Sequence, residues 1–247
     1  MREFSDLLVW ISEKSAMDYV SFQKHTRYAI HLHQMLSLLR SAGRRINRPF
    51  FMNLISVDDY SPLNYQAADI LKFYNLPAIF FIETNGKECI EQIKELSDRG
   101  FEIGSHTITH KILRPCDRDT AEYELKQSKK ALETVLDKEI DWFCYPRGRY
   151  SDQTRELVLE AKYKFARTTK VLATELPKNP MEMHTTVHIY PRAEYKGEHW
   201  LSVASRLYGS PYFHLWFHSW ELERLNEWDN FKRFCEFINK YGQNILS

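Results

Sequence analysis

Two adjacent aspartates, Asp58 and Asp59, a histidine pair four residues apart, His106 and His110, and a further histidine, His218, are the residues here whose types suit hydrolytic chemistry. Asp59, His106 and His110 form a three-ligand set for a divalent ion, with Zn²⁺ first among the choices. Imidazole nitrogens and a carboxylate oxygen suit zinc, and three protein ligands leave a position for water or substrate. An ion held this way polarises a carbonyl and lowers the pKa of its water from ~15.7 towards ~7, and amide hydrolysis at neutral pH needs both effects. Asp58, a second carboxylate beside that water, is the candidate general base; His218 is the candidate acid for the leaving amine. Adjacent side chains on a regular strand face opposite ways, so both aspartates serve one site only if the chain bends. Tyr60-Ser61-Pro62 is compatible with such a turn.

These residues sit where predicted elements end. Short apolar runs alternate with amphipathic stretches, the pattern of a βα protein with a parallel sheet. Strands are expected over Pro49–Val57, Pro77–Ile82, Phe101–Ile103, Trp142–Tyr145, Tyr163–Ala166, Val187–Tyr190 and Phe213–Phe217. Helices are expected over Leu63–Tyr74, Lys87–Arg99, Asp119–Leu136, Asp152–Ala161 and His199–Tyr208, with a last one over Asn226–Tyr241 ended by Gly242. Along Asp119–Leu136, Ala121, Leu125, Ser128, Leu132 and Val135 share one face, while Glu124, Lys126, Lys129, Lys130 and Glu133 occupy the rest. In a βα-barrel the loops after the strands gather at one end, so Asp58-Asp59, His106-His110, Tyr145-Pro146-Arg147 and His218 are expected to converge there. Residues 1–48 read differently: helices over Ser5–Lys14 and Val20–Leu39, then a basic run Arg40–Arg48 taken as a solvated helix end and loop. The expected organisation is a helical N-terminal extension, 1–48, followed by one barrel domain, 49–247.

The same residue types admit blander readings. Three HxxxH pairs occur, His106/His110, His184/His188 and His214/His218, and the spacing alone is weak. None contains the Glu of HExxH, which disfavours a zincin protease. The first pair stands out because Gly104-Ser105 leads into it after a strand. His184 and His188 read as structural, one in a Met-rich loop and one inside an apolar strand. His214 also reads as structural, on the face shared with Trp216 and His218, and remains a candidate supporting residue. His31 and His33, two apart on a helix, cannot share a face. Trp216, Phe217 and Trp220 suit equally a sugar-stacking platform or core packing.

Composition limits the partners. A net charge of +1 over 247 residues argues against bulk capture of nucleic acid or anionic membrane. No apolar run reaches the length of a membrane span. Met1 to Val20 carries Glu3, Asp6, Glu13, Lys14 and Asp18, so a secretory apolar core is not expected there. With Cys89, Cys116, Cys144 and Cys235 far apart, free thiols in a cytoplasmic setting are the expectation.

The constellation resembles the polysaccharide deacetylases, carbohydrate esterase family four. SVDDY at Ser56–Tyr60 is similar to the motif TFDDG, HTITH at His106–His110 matches H[ST]xxH, and LWFH at Leu215–His218 is similar to LxxH. PAIFFI at Pro77–Ile82 is similar to the family's second strand, and the resemblance runs from Pro49 to Trp220. It implies a distorted (β/α)7 barrel with parallel strands, a divalent metal, commonly zinc, and hydrolysis of N-acetyl groups on amino sugars. It gives Asp58 the base role, Asp59, His106 and His110 the metal, and His218 the acid role. Candidate substrate contacts are Tyr60, in place of the motif's Gly, Tyr145, Arg147, whose backbone N–H takes the position of an oxyanion donor, and Trp220. Two departures stand out. CYPRG at Cys144–Gly148 replaces RPPYG, so an arginine that orients the base is absent from its place, and Arg147, Arg149 and Arg167 are the candidates to supply it. The Asp-Trp motif is missing, with Glu198-His199-Trp200 a distant echo. Two other functions fit the sequence: a cytoplasmic cyclic amide or ureide hydrolase on the same fold, and a catalytically silent carbohydrate-binding module. Oligomeric state is not readable from the sequence.

Overall fold

β-Branched and aromatic runs form the strands of a seven-stranded all-parallel sheet, ordered β5-β4-β3-β2-β1-β7-β6, in the computed structural model, which describes residues 52–246. The strands are β1 (Met52–Asp58), β2 (Ile79–Ile82), β3 (Glu102–Ser105), β4 (Trp142–Cys144), β5 (Phe165–Arg167), β6 (Val187–His188) and β7 (Tyr212–His218). Each coincides with an expected strand. Parallel strands need crossover connections, and helices supply them between most neighbours: α1 (Asn64–Phe73), α2 (Lys87–Asp98), α3 (Arg118–Leu136), α4 (Asp152–Glu160) and α5 (Trp200–Leu207). The short α6 (Ser219–Arg224) directly follows β7, and α7 spans Trp228–Leu246.

The strands are buried on both faces, as parallel strands covered by helices require. Ile79–Ile82 is fully buried, and the core gathers Val57, Phe80, Phe143, Phe213 and Phe217 with Phe231 and Phe234 of α7. β5 and β6 do not pair with each other. The chain between them touches both edges instead: Met183 bridges Arg167, and the Thr186 N–H bonds the His214 carbonyl of β7 at 2.9 Å. This irregular closure is the distorted (β/α)7 barrel.

Local chemistry sets the element ends. Asp117 caps α3 by accepting the Thr120 N–H at 2.8 Å, and Ser151 with Thr154 forms the capping box of α4. Gly104 in β3 is needed for close packing, because a Cβ there would lie 2.4 Å from the Phe81 ring.

Several expectations change. The last helix passes Gly242 and runs to Leu246. α6, with six residues, is too short to show a helical period and was not expected. On α3, Glu124 and Lys129 are buried rather than solvated. All four cysteines are free, and among the described residues no helix is long and apolar enough to cross a membrane. The extension expected over residues 1–48, with His31, His33 and the basic run, lies outside the described residues. So does the stretch behind the cytoplasmic expectation.

Candidate active site

β1 and β7 run in register, and Asp58 pairs with His218 across them. Register partners on parallel strands point the same way, so these two side chains start from neighbouring positions on one face. Immediately after Asp58 the chain bends. Asp59 has φ 65, in the left-handed region that a non-glycine residue occupies only at a cost. Its N–H bonds the Phe81 carbonyl at 2.9 Å, and Asn64 Nδ2 donates to its carbonyl at 2.9 Å. The bend turns both aspartates to one site, which a regular strand would forbid.

His106 follows β3 directly, and the turn after it is clamped from α3. Glu124 accepts the N–H groups of Ile108 and Thr109 at 2.8 and 3.2 Å and the Thr109 hydroxyl at 2.8 Å. Thr107 and His110 both adopt positive φ in this turn. Glu124 thereby fixes the spacing of the histidine pair, although its sequence context suggested a solvated face. His106 Nε2 lies 3.4 Å and His110 Nε2 3.6 Å from Asp59 Oδ1, and His218 Nε2 lies 3.5 Å from Asp59 Oδ2.

This donor set fits a divalent ion. Asp59 Oδ1 is buried without a hydrogen-bond partner. His106 Nδ1 is 2.9 Å from the Cys144 carbonyl, which only accepts, so Nδ1 carries the hydrogen and Nε2 turns its lone pair to Asp59. Two acceptors aimed at each other favour a cation between them, and a carbonyl-anchored imidazole is the usual support of a metal-binding histidine. The same negative surroundings that would hold a cation here draw a proton to the ring. Burial opposes protonation of His106, but Cys144, Asp59 and Asp58 together draw its pKa well above the ordinary value. Burial likewise opposes ionisation of Asp59, and the three histidines outweigh it and lower its pKa.

The surroundings of Asp58, the residue expected to serve as base, differ from the sequence pattern. Asp58 is 2% exposed, and its Oδ2 is held by Arg167 Nη2 from the end of β5. Arg167 is fully buried, sandwiched with its guanidinium carbon 4.6 Å from the Trp216 ring and 5.4 Å from Phe81. Its Nη2 also lies 2.9 Å from Cys144 Sγ. Cys144 and Arg167 are register partners on β4 and β5, so the missing arginine is supplied one strand over. Arg147 and Arg149 are exposed. β5 extends one residue beyond the expected end, and that residue is Arg167.

His218, the residue expected to serve as acid, has a partner that the sequence did not reveal. Glu221 Oε2 accepts the His218 backbone N–H at 3.0 Å and lies 3.0 Å from His218 Nδ1. Burial disfavours protonated His218; Glu221, Asp58 and Asp59 reverse this and raise its pKa. The signal available was an acid three residues after a histidine at a strand end, inside a helix too short to recognise.

Of the substrate candidates, Trp220 is 37% exposed and stacks on His218 at 5.0 Å, and Tyr60 is half-buried with its N–H on Glu83 at 3.0 Å. Arg147 is exposed at φ 55, in a turn held by Gly148, where a Cβ would strike Thr169. Tyr145 is a correction: it is fully buried and its hydroxyl donates to the Met181 carbonyl at 3.0 Å, which makes it a packing residue. Trp216 and Phe217 are core, so the aromatic platform reduces to Trp220. His214 hydrogen-bonds Ser56 at 2.8 Å, buried and apart from the ligand set, and His184 bonds the Thr168 hydroxyl at 2.8 Å.

Residues 48–166 match the sequence profile of the polysaccharide deacetylases. This segment therefore resembles the polysaccharide deacetylase family. The Bacillus subtilis protein YxkH, which carries the name of a polysaccharide deacetylase, is 30% identical over 137 residues, 53% of this chain and 49% of its own length. The chain thus spans about half of that relative. A Streptococcus pyogenes deacetylase solved with acetate is 26% identical, with a TM-score of 0.51 over 54% of this chain and 62% of that one. A Streptomyces lividans family 4 carbohydrate esterase solved with acetate shares the fold, at 16% identity and TM-score 0.57 over 78% of this chain and 90% of that one. So does a Bacillus anthracis pseudoenzyme of the family, at 17% identity and TM-score 0.51 over 70% of this chain and 56% of that one. The polysaccharide deacetylase profile covers β1 to β5 as far as Ala166, and β6, β7 and His218 lie beyond it.

Proposed function

We propose that this chain is a metal-dependent deacetylase that releases acetate from an N-acetylated amino sugar or glycan. The observation that carries the proposal is Asp59 set between three histidine Nε2 atoms at 3.4–3.6 Å, with Asp58 held apart from it by Arg167. Asp59, His106 and His110 would hold the ion, most simply Zn²⁺, which when bound polarises the acetamide carbonyl and acidifies water. Asp58, whose Oδ1 is buried and unpartnered, takes the proton of the attacking water. As the carbon–nitrogen bond breaks, its electron pair goes to nitrogen, and His218 Nε2 gives that nitrogen a proton. The Arg147 N–H is assigned to the carbonyl oxygen as it gains negative charge. Tyr60 and the exposed face of Trp220 contact the sugar.

The occupied arginine position weighs against a silent binding module, since binding alone has no use for an oriented base. The test is acetate release from N-acetylglucosamine oligosaccharides by the metal-loaded protein, run beside Asp58→Asn. The expected result is turnover that Asp58→Asn abolishes while metal content is kept. Ring-opened product from a cyclic ureide, with no acetate from any sugar, would replace this reading with the ureide hydrolase.

A further inference from the structure

Behind His218, on the side away from Asp59, buried His188 and Glu221 cluster with partly exposed Arg192, and the proposed reaction uses none of them directly. Glu221 Oε2 meets His188 Nε2 at 2.9 Å, and His188 Nδ1 accepts from Arg192 Nε at 3.1 Å. Arginine cannot give up its proton here, so His188 Nδ1 must be the acceptor nitrogen and Nε2 the donor. Each ring nitrogen therefore has a fixed role, Nδ1 as acceptor and Nε2 as donor, and Glu221 receives the hydrogen on Nε2. His188 is further locked by stacking on Trp216 at 3.8 Å and 14°. Burial pushes its pKa down to about 4, so near neutral pH it contributes a donor and no charge.

Three donor-bearing groups of the site can reach a metal together: His188, His218 and Glu221. The hydrogen positions argue against that use, because His188 has no free lone pair to give an ion. What the cluster provides is one carboxylate oxygen, fixed from behind by His188 and set 3.0 Å from His218 Nδ1. This close contact, with the Glu221 Oε2 bond to the His218 backbone N–H at 3.0 Å, fixes the ring with Nε2 turned to Asp59, 3.5 Å from its Oδ2.

We infer that Glu221, locked by His188 and through it by Arg192, is the positioning residue that aims His218 Nε2 at the departing nitrogen. This rests on the deacetylase reading. Glu221, His188 and Arg192 all lie past Ala166, where the family profile ends. Glu221 reaches His218 from the first turn of α6, three residues along the chain, and not from the missing Asp-Trp motif.

The test separates the acid step from the rest of the reaction. Protonation of the leaving group matters for an amide and hardly at all for p-nitrophenyl acetate, whose phenolate departs unaided. Glu221→Gln is expected to lower kcat on N-acetylglucosamine oligosaccharides about 10–100-fold, in the range for residues that orient a site group. Metal content and KM should hold, and p-nitrophenyl acetate hydrolysis should fall much less. Arg192→Leu, at a partly exposed position, is expected to move the amide-to-ester ratio the same way, by about threefold, and decides the matter if Glu221→Gln does not fold. An unchanged ratio in the folded variants, or equal loss of both reactions, would overturn the inference. Wild-type protein that releases acetate from neither compound would instead overturn the deacetylase reading, and this inference with it.

Discussion

Arg167 and Asp58 are 109 residues apart in the chain and form a buried ion pair across the sheet interior. The pair spans from the end of β5 to the end of β1, passing Cys144 on β4. Removing one partner of a buried pair leaves an uncompensated charge, at a cost of about 3–5 kcal/mol. Arg167→Met is therefore expected to lower the unfolding free energy from urea titration by that amount and acetate release by about 100-fold. The double exchange Cys144→Arg with Arg167→Cys returns the guanidinium to β4 and should recover part of the activity. A double variant no better than Arg167→Met would show that the β5 origin itself matters.

Metal content distinguishes the ligand set from its surroundings. His106→Ala and His110→Ala should each lose most of the bound divalent ion by elemental analysis, because three protein ligands are the minimum for a tight site. Asp58→Asn should keep it. A metal-free wild-type protein that cannot be reloaded would remove the ion from the mechanism.

Acid should destabilise the fold before carboxylates titrate. His188 is held at about 4 by burial, against 6.5 when unfolded. Burial, with Arg167 nearby, pushes His214 well below its ordinary value. Between these limits the two groups bind more protons in the unfolded chain, so their contribution to stability is full above pH 6.5 and falls as pH drops towards 4. For His188 the loss is at most ~3 kcal/mol, at 1.36 kcal/mol per unit. Urea midpoints at pH 7.5 and 4.5 should differ less in His188→Gln than in the wild type.

Gly104 tests the packing beneath the histidine pair. With no room for a Cβ against Phe81, Gly104→Ala should cost about 1–3 kcal/mol of stability. It should also weaken metal binding, since His106 lies two residues on. A fully stable variant with a normal site would show that the β2–β3 contact can relax.

Much of this protein was legible in one dimension. Strand positions followed from apolar runs that need no tertiary information, and the convergence of Asp58, Asp59, His106, His110 and His218 followed from parallel βα topology. Even the bend at Asp59 was required once both aspartates were assigned to one site. Side-chain partners were another matter. Sequence left Arg147, Arg149 and Arg167 as equal sources of the base's arginine, because choosing among them takes strand register and one residue at the end of β5. It placed Glu124 on a solvated face and Tyr145 at the substrate, where burial decides otherwise. It could not see Glu221, which acts from a helix too short for periodicity to reveal. Periodicity and motif order report the backbone, which is set locally. The hydrogen-bond partners of Asp58 and His218 depend on distances across β1, β4, β5 and β7, and those exist only once the sheet has formed.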